Sequence, residues 1–391
     1  MVGWVVGSSL LALVGMLGAI AALMLWVWQR ECLTGVSYRR ALGQRRATFG
    51  EEVSLEVELV NDKLLPLTWL HVEDEMPPAL NIRGRKVSVD RSVHGQLHHL
   101  LPMLPFQRVR RRFTVICDHR GEHTFGPAHL RSGDPIGVRE KFEQAREQDQ
   151  LLVYPKLFRL DGLPVASRVP LGDERSRVKL VTDPSRIAGV REYREGDPVR
   201  HIDWRATARG NALLVREFEP TSNPRVAVFL DMRPPSVASM EASTDILEFT
   251  IALGASVVAD LAGRGVATGL YASGAVDDMP LARAPSTSPA ALPAMLELLA
   301  RATRRGPLSI VDLLTREGRR LGHGASLVIV AASFPESTVV ALEDLRRRMS
   351  IMALWVATDD GQPPPYEMFD ARGEVRYDDD WRTWEVVDIL P

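Results

Sequence analysis

Cysteine is nearly absent from this 391-residue chain, which has only Cys32 and Cys117. Two thiols so far apart make neither a disulfide framework nor a zinc site, and they read as small apolar fillers. Lysine is almost as scarce. Of 48 basic residues only Lys63, Lys86, Lys141, Lys156 and Lys179 are lysine, the rest being arginine. An excess of one charge is missing too: the net charge is −2, so no whole-chain field would draw in nucleic acid. There is no G-x-S-x-G, no Walker A loop and no G-x-G-x-x-G following a strand. That removes the motif grounds for a hydrolase, a P-loop NTPase or a dinucleotide binder. No internal repeat or low-complexity tract stands out. What remains is an ordinary globular composition, 45% hydrophobic and 25% charged, long enough for two or three domains.

The first positive signal is an uncharged run from Trp4 to Trp28, WVVGSSLLALVGMLGAIAALMLWVW. A spanning helix needs about 20 apolar residues, and indoles favour the headgroup layers where Trp4, Trp26 and Trp28 would sit. No basic residue precedes the run, as the n-region of a cleaved signal peptide would require, while Arg30, Arg39, Arg40, Arg45 and Arg46 follow it. The expectation is a single-pass anchor through residues 4–28, with a tight hairpin as the alternative and the bulk of the chain cytoplasmic. The arginine bias reads as a GC-rich, bacterial genome, so the expected location is a bacterial cell membrane.

From about Val36 to Gln150 the hydrophobic period is two. In EEVSLEVELVN, Val53, Leu55, Val57 and Leu59 alternate with polar neighbours, and further strands are expected at LPLTWLHVED, Val109–Cys117, His123–Phe125 and His129–Ser132. Short strands at this spacing predict an antiparallel β-sandwich. Lys141–Gln150 reads as a polar connector, and Leu163–Ser185 as a loop. After Asn223 the pattern changes to apolar strands such as RVAVFLD and SLVIVAA alternating with helical stretches, which predicts a doubly wound α/β sheet. The expected divisions are 1–30 (anchor), 31–150 (sandwich), 151–222 (connecting segment), 223–360 (α/β domain) and 361–391 (acidic, Pro-containing tail).

The densest stretch is Arg191–Arg209, REYREGDPVRHIDWRATAR, with five arginines among acids, a His, a Tyr and a Trp. Asp197-Pro198 reads as a helix start and Gly210 as its stop. Val199, Ile202 and Ala206 would form an apolar stripe, Arg200 would pair with Asp203 along the helix, and Trp204 would pack. ALLVREFE then reads as a strand. The plain reading is architectural, an Arg/Asp network holding domains together. The alternative is a docking face in which Arg191, Arg194, Arg205 or Arg209 meets an acidic partner or a phosphate.

Together with the apolar run, the sandwich pattern and RGEHTFGPAHLRSGDPIGV, the pattern Arg-x-Tyr-x-x-Gly-Asp-x-x-Arg-x-Ile-Asp-Trp closely resembles the bacterial DUF58 family. The residues that carry the resemblance are Arg191, Tyr193, Gly196, Asp197, Arg200, Ile202, Asp203 and Trp204, with Arg209 just beyond. The resemblance implies a von Willebrand factor A-like α/β domain. It also implies a link to MoxR-type AAA+ ATPases in protein maturation or cell-envelope work. Such A-type domains often hold Mg²⁺ through Asp-x-Ser-x-Ser, and a hard cation wants those oxygens. Here the positions are Asp231, Arg233 and Pro235, and the later strand ends in Ala332 and Ser333 without the usual Asp. The metal motif is therefore degenerate, with Asp231 its remnant, and no cofactor is expected.

Other metal candidates are weaker. Asp197, His201 and Asp203 do not converge on one helical face, though a ligand- or metal-dependent enzyme built on them is the alternative function. His94, His98 and His99 lie in an expected loop without a nearby acid, and His119 and His123 flank a hairpin turn. The leading expectation is a non-catalytic, membrane-tethered scaffold that recruits an ATPase, with no nucleic-acid partner and no small-molecule substrate.

Overall fold

The computed structural model describes residues 2–83, 88–89, 95–135, 137, 139–163, 182–193, 202–208, 213–220, 225–233, 240–304, 306–321 and 325–390. The chain divides into two compact units, Met1–Pro155 and Lys156–Pro391.

The first unit begins with one continuous helix, α1 (Val2–Glu31), rather than a hairpin. Thirty residues at 1.5 Å rise extend about 45 Å. Its segment Leu11–Glu31 is apolar, unburied and long enough to cross a membrane. The helix ends against the domain that follows, where Trp28 packs on a core containing Cys32 and Leu33.

That domain is built of antiparallel strands. They are β1 (Val36–Leu42), β2 (Glu52–Asn61), β3 (Leu67–Met76), β4 (Gly95–Met103), β5 (Arg108–Ile116), β6 (Gly121–Phe125), β7 (Ala128–Gly133), β8 (Glu140–Ala145) and β9 (Asp149–Val153). One sheet runs β1-β2-β5 with Asn81–Ile82 at its edge, and a second runs β8-β7-β3-β4 with Ser88–Val89. A third, small sheet joins Arg46–Ala47, β9 and β6. The inward alternate residues Val57 and Leu59 of β2, Leu70 and Val72 of β3, and Leu101 and Met103 of β4 share one core, the signature of a sandwich. Cys32 and Cys117 are buried and unpaired, as small apolar fillers would be.

Two sequence expectations fail here for physical reasons. The polar stretch 141–150 is not a connector, since it holds most of β8 and the start of β9. β8 is an edge strand exposed on both faces, so it shows no alternation. The segment around His98 and His99 is not a loop but β4. Its pattern is scrambled because His99 points inward, fully buried, while Leu100 points out.

A polar knot ties the sandwich together at Arg40 on β1. The buried Arg40 guanidinium pairs with buried Asp74 and with Asp149 at 3.0 Å, and donates to the carbonyls of Phe125 (2.8 Å) and Glu147 (2.9 Å). The Tyr38 hydroxyl donates to the other Asp74 oxygen at 2.5 Å. Burial pushes the Asp74 carboxyl up to about 6, against the pull of Arg40 and the Tyr38 hydroxyl.

The second unit opens with β10 (Arg159–Asp161) and a two-stranded ribbon of β11 (Thr182–Glu192) and β12 (Leu214–Pro220). Four residues of β11 fall in the stretch expected to be loop. A single helical turn, α2 (Trp204–Thr207), precedes β12. The main sheet contains β13 (Arg225–Leu230), β14 (Ala267–Val276), β15 (Met279–Ser286), β16 (Ser326–Ala331), β17 (Ser350–Ala357) and β18 (Ala371–Arg376), in the order β15-β14-β13-β16-β17-β18. All neighbours are parallel except β14 and β15. Helices α3 (Met240–Gly263) and α4 (Ala291–Arg301) cover one face with Val226, Val228 and Leu230. Helices α5 (Ile310–Arg316) and α6 (Glu336–Arg346) cover the other with Ala227 and Phe229. Strands buried on both faces read as continuous apolar runs, as RVAVFLD does. α3 also has the length and apolarity of a membrane span, but 72% of it is buried, and it is a core helix.

Residues 361–391 are not a tail. They supply the edge strand β18 and a final strand, β19 (Val386–Asp388), which pairs in parallel with β10. Between them, the Trp381 indole donates to Asp245 of α3 at 2.8 Å and the Tyr377 hydroxyl to the same oxygen at 2.5 Å. Phe249 sits among Phe158, Tyr377, Trp381 and Trp384. The segment 156–163, expected to be connecting chain, is therefore part of this unit.

Candidate functional site

Numbered by appearance within the sheet, the strand order is 3-2-1-4-5-6, so the direction of winding reverses between β13 and β16. Open α/β sheets bind ligands outside the carboxyl ends of the strands at such a point. A cleft of 590 Å³ lies there. Asp231 and Arg233 follow β13, Ser333 and Pro335 follow β16, Ser337 and Thr338 start α6, Ser309 caps α5, and Asp360 and Gln362 follow β17.

Each lining group is set by a strand or helix end. Asp231 closes β13 with its backbone N–H on the Val330 carbonyl, 2.9 Å away. Its Oδ1 accepts from Ser273 Oγ at 2.9 Å and from the Arg233 backbone N–H at 3.1 Å. Ser273 Oγ also accepts from the Met232 N–H at 2.8 Å, so β14 fixes the turn after β13. Burial raises the Asp231 carboxyl above its ordinary range, although the Ser273 hydroxyl and Arg233 pull the other way. Ser309 and Asp312 form a reciprocal capping box at the start of α5. Hydrogen bonds from Ser309 hold the Asp312 carboxyl below its usual range, with Arg233 adding to the effect.

The Mg²⁺ set of an A-type domain does not fit these residues. Arg233 occupies one hydroxyl position of the motif, Asp231 Oδ1 is already shared between two donors, and Pro235, at the other hydroxyl position, lies outside the described residues. Asp231 therefore anchors a loop. Sequence reasoning reached Asp231, Arg233 and Ser333 but missed Ser309, Ser337, Thr338, Asp360 and Gln362. Their signal was positional, as each follows an apolar strand or opens a helix.

The 191–209 stretch is only partly described. Gly196, Asp197, Arg200, His201 and Arg209 lie outside the described residues, as do the side chains of Arg191 and Arg205. The described part corrects the helix expected from Pro198. Ile202 forms a β-bridge with Val215, and Asp203 donates its N–H to the Leu214 carbonyl at 2.9 Å, so neither is helical. The helix starts at Trp204. Asp203 caps it, with Oδ1 accepting from the Ala206 N–H at 3.0 Å. Arg191 pairs with the same Val215 from β11, so both ends of the motif flank β12. The Tyr193 N–H reaches the Leu213 carbonyl at 2.8 Å. Trp204, expected to pack, is 63% exposed.

The histidines divide similarly. His123 is buried against the His119 carbonyl at 2.9 Å, and burial lowers its pKa. His99 meets Arg111 at 3.0 Å. His98 does have an acid opposite it, since Glu73 is its cross-strand neighbour, and with His71 they bring three donor atoms within 4.8 Å of one another. The His71 and His98 rings are stacked only 12° from parallel, so their in-plane lone pairs do not converge on one ion as they stand.

Among solved structures, the chain is similar to the CARDB domain of the PF1109 protein from Pyrococcus furiosus, solved with di-metal ions (TM-score 0.22, 9% identity, 30% of this chain and 91% of that chain). It is also similar to the C-terminal domain of wzt (TM-score 0.22, 8% identity, 32% of this chain and 75% of that chain). Both are too distant to inform function. In sequence, the chain is 26% identical over 243 residues to the uncharacterized protein YeaD of Bacillus subtilis, covering 59% of this chain and 54% of that protein. The chain thus spans about half the length of that relative. Residues 189–365 match the family described as "Protein of unknown function DUF58". They hold the described part of the Arg-x-Tyr motif, the β12 ribbon and the cleft, and it is over this region that the chain matches the DUF58 family.

Proposed function

We propose that the chain is a membrane-tethered, non-catalytic adaptor whose α/β unit has a von Willebrand factor A-like fold and docks a MoxR-type AAA+ ATPase at its switch-point cleft. The carrying observation is the 3-2-1-4-5-6 order with an antiparallel third strand, which puts a polar cleft where doubly wound sheets receive ligands. The ATPase enters from the family resemblance, and the cleft gives it a surface of suitable chemistry. The lining offers hydroxyls, carboxylates and the exposed Arg233, and among the described residues no His, Cys or Lys that could serve as base or nucleophile. Helix α1 supplies the tether, and the arginines that follow it favour a cytoplasmic α/β unit.

The test is cross-linking of the native protein in its own membranes followed by identification of captured proteins. An AAA+ ATPase captured by the wild type, and lost from an Arg233→Glu variant, is the expected result. Capture of no ATPase, or equal capture by the variant, overturns the docking reading.

A further inference from the structure

The end of the sandwich next to α1 carries an apolar surface that the fold does not use. Leu64, Leu104 and Phe106 are 78%, 67% and 65% exposed. They sit on two short loops, one between β2 and β3 and the other between β4 and β5. Hydrogen bonds place both loops beside the end of α1. The Asp62 N–H donates to the Gly35 carbonyl at 2.8 Å, and Lys63 Nζ to the Cys32 carbonyl at 2.8 Å. The Phe106 N–H donates to the Lys63 carbonyl at 3.2 Å, and Asn61 Nδ2 to the Leu104 carbonyl at 2.9 Å.

The attachment of α1 to this surface is rigid. Cys32 and Leu33 are buried, Trp28 packs on the same core, and Lys141 Nζ on β8 donates to the Arg30 carbonyl at 3.1 Å. Only four residues separate Glu31 from β1, so the loops cannot lie far from the level at which the helix ends. Arg30 lies over the Trp26 ring at 5.5 Å, a pairing of basic and aromatic groups suited to the headgroup layer.

Phe106 adds an independent sign. Its φ of 53° is left-handed, a conformation that a bulky side chain rarely adopts. Strain kept where the side chain stays mostly exposed points to a contact outside the protein.

We infer that Leu64, Leu104 and Phe106 insert into the headgroup–acyl boundary of the same bilayer that α1 crosses, forming a second membrane contact that fixes the tilt of the sandwich on the membrane. Apolar loop tips bind a bilayer in this way by burying apolar area at the interface. The inference rests on α1 spanning the membrane, and its test separates the two claims.

Three variants of the full chain, each adding one cysteine (Leu104→Cys, Leu17→Cys or Arg45→Cys) beside the buried Cys32 and Cys117, would carry an environment-sensitive fluorophore on the added thiol in phosphatidylcholine vesicles containing lipid-attached quenchers, with the unsubstituted chain as the labelling blank. Arg45 is exposed at the far end of the sandwich, about ten strand residues or roughly 30 Å from the loops. The expected result is strong quenching at position 17 and quenching at 104 several-fold above that at 45. Adding Leu64→Ser and Phe106→Ser to the Leu104→Cys variant should reduce quenching at 104 toward the value at 45. Quenching at 17 with none at 104 above that at 45 overturns the second contact and leaves the span intact. No quenching at 17 overturns both.

Discussion

Replacing Arg40 with methionine tests whether the polar knot at its position holds the sandwich together. The guanidinium has four partners, Asp74, Asp149 and the carbonyls of Phe125 and Glu147, and is itself buried. Methionine fills much of the volume but leaves Asp74 buried with only the Tyr38 hydroxyl. Removing one partner of a buried ion pair costs about 3–5 kcal/mol. The orphaned carbonyls add to this only partly, because water can reach the part-buried side near Glu147. For a unit of this size, each kcal/mol lowers Tm by about 2–4 °C, so a fall of roughly 6–20 °C is expected. The loss should also depend on pH. Asp74 already has a raised carboxyl, about 6, and losing Arg40 raises it further. A group raised in the folded state contributes stability that is fully present below its unfolded pKa and is lost as pH rises through the folded one. The variant should therefore be penalised more at pH 8 than at pH 5. Adding Asp74→Leu should restore part of the loss. Thermal unfolding of the detergent-solubilised chain at both pH values is the assay. A fall below about 3 °C, or a larger penalty at pH 5, would refute the reasoning.

Gly126→Ala should destabilise the same unit strongly, because φ there is 84° and a Cβ would fall 2.6 Å from the Glu147 carbonyl oxygen, beside the Arg40 guanidinium; thermal unfolding reads it. Asp231→Asn keeps an acceptor for Ser273 and removes a buried charge whose pKa is raised, so the variant should gain stability over wild type at pH 8 and converge with it near pH 4. Deleting residues 370–391 removes β18, β19 and the Tyr377 and Trp381 partners of Asp245, and should leave the second unit protease-sensitive while the first stays resistant. Gly274→Ala should lower stability, as its Cβ would meet the Thr303 carbonyl oxygen at 2.6 Å behind the cleft.

Much of the architecture was legible in the sequence because burial writes it as period. Val53, Leu55, Val57 and Leu59 alternate because one face of β2 meets the core, and RVAVFL does not because β13 is covered on both faces. The strands that escaped lack such a face. β8 and β15 are largely exposed edges, and β4 carries His99 inward and Leu100 outward. β18 lay hidden in an acidic stretch whose anchoring residues, Tyr377 and Trp381, are recognisable only once Asp245 of α3 is beside them. The candidate site was less legible. Asp231 could be found from the end of its strand, but its partner Ser273 is 42 residues away on β14. The helix read across Pro198–Arg209 had sound capping signals in sequence, but among its described residues Ile202 pairs with Val215 and Asp203 caps the turn that begins at Trp204.

The most direct measurement of the central claim is the affinity of the purified full chain, in detergent or nanodiscs, for a MoxR-type ATPase from the same genome, with wild type compared to Arg233→Glu and Ser333→Arg in the cleft. The account predicts saturable binding by the wild type and a loss of at least about tenfold in each variant, or roughly 1.4 kcal/mol. No binding by the wild type, or unchanged affinity in both variants, would contradict it.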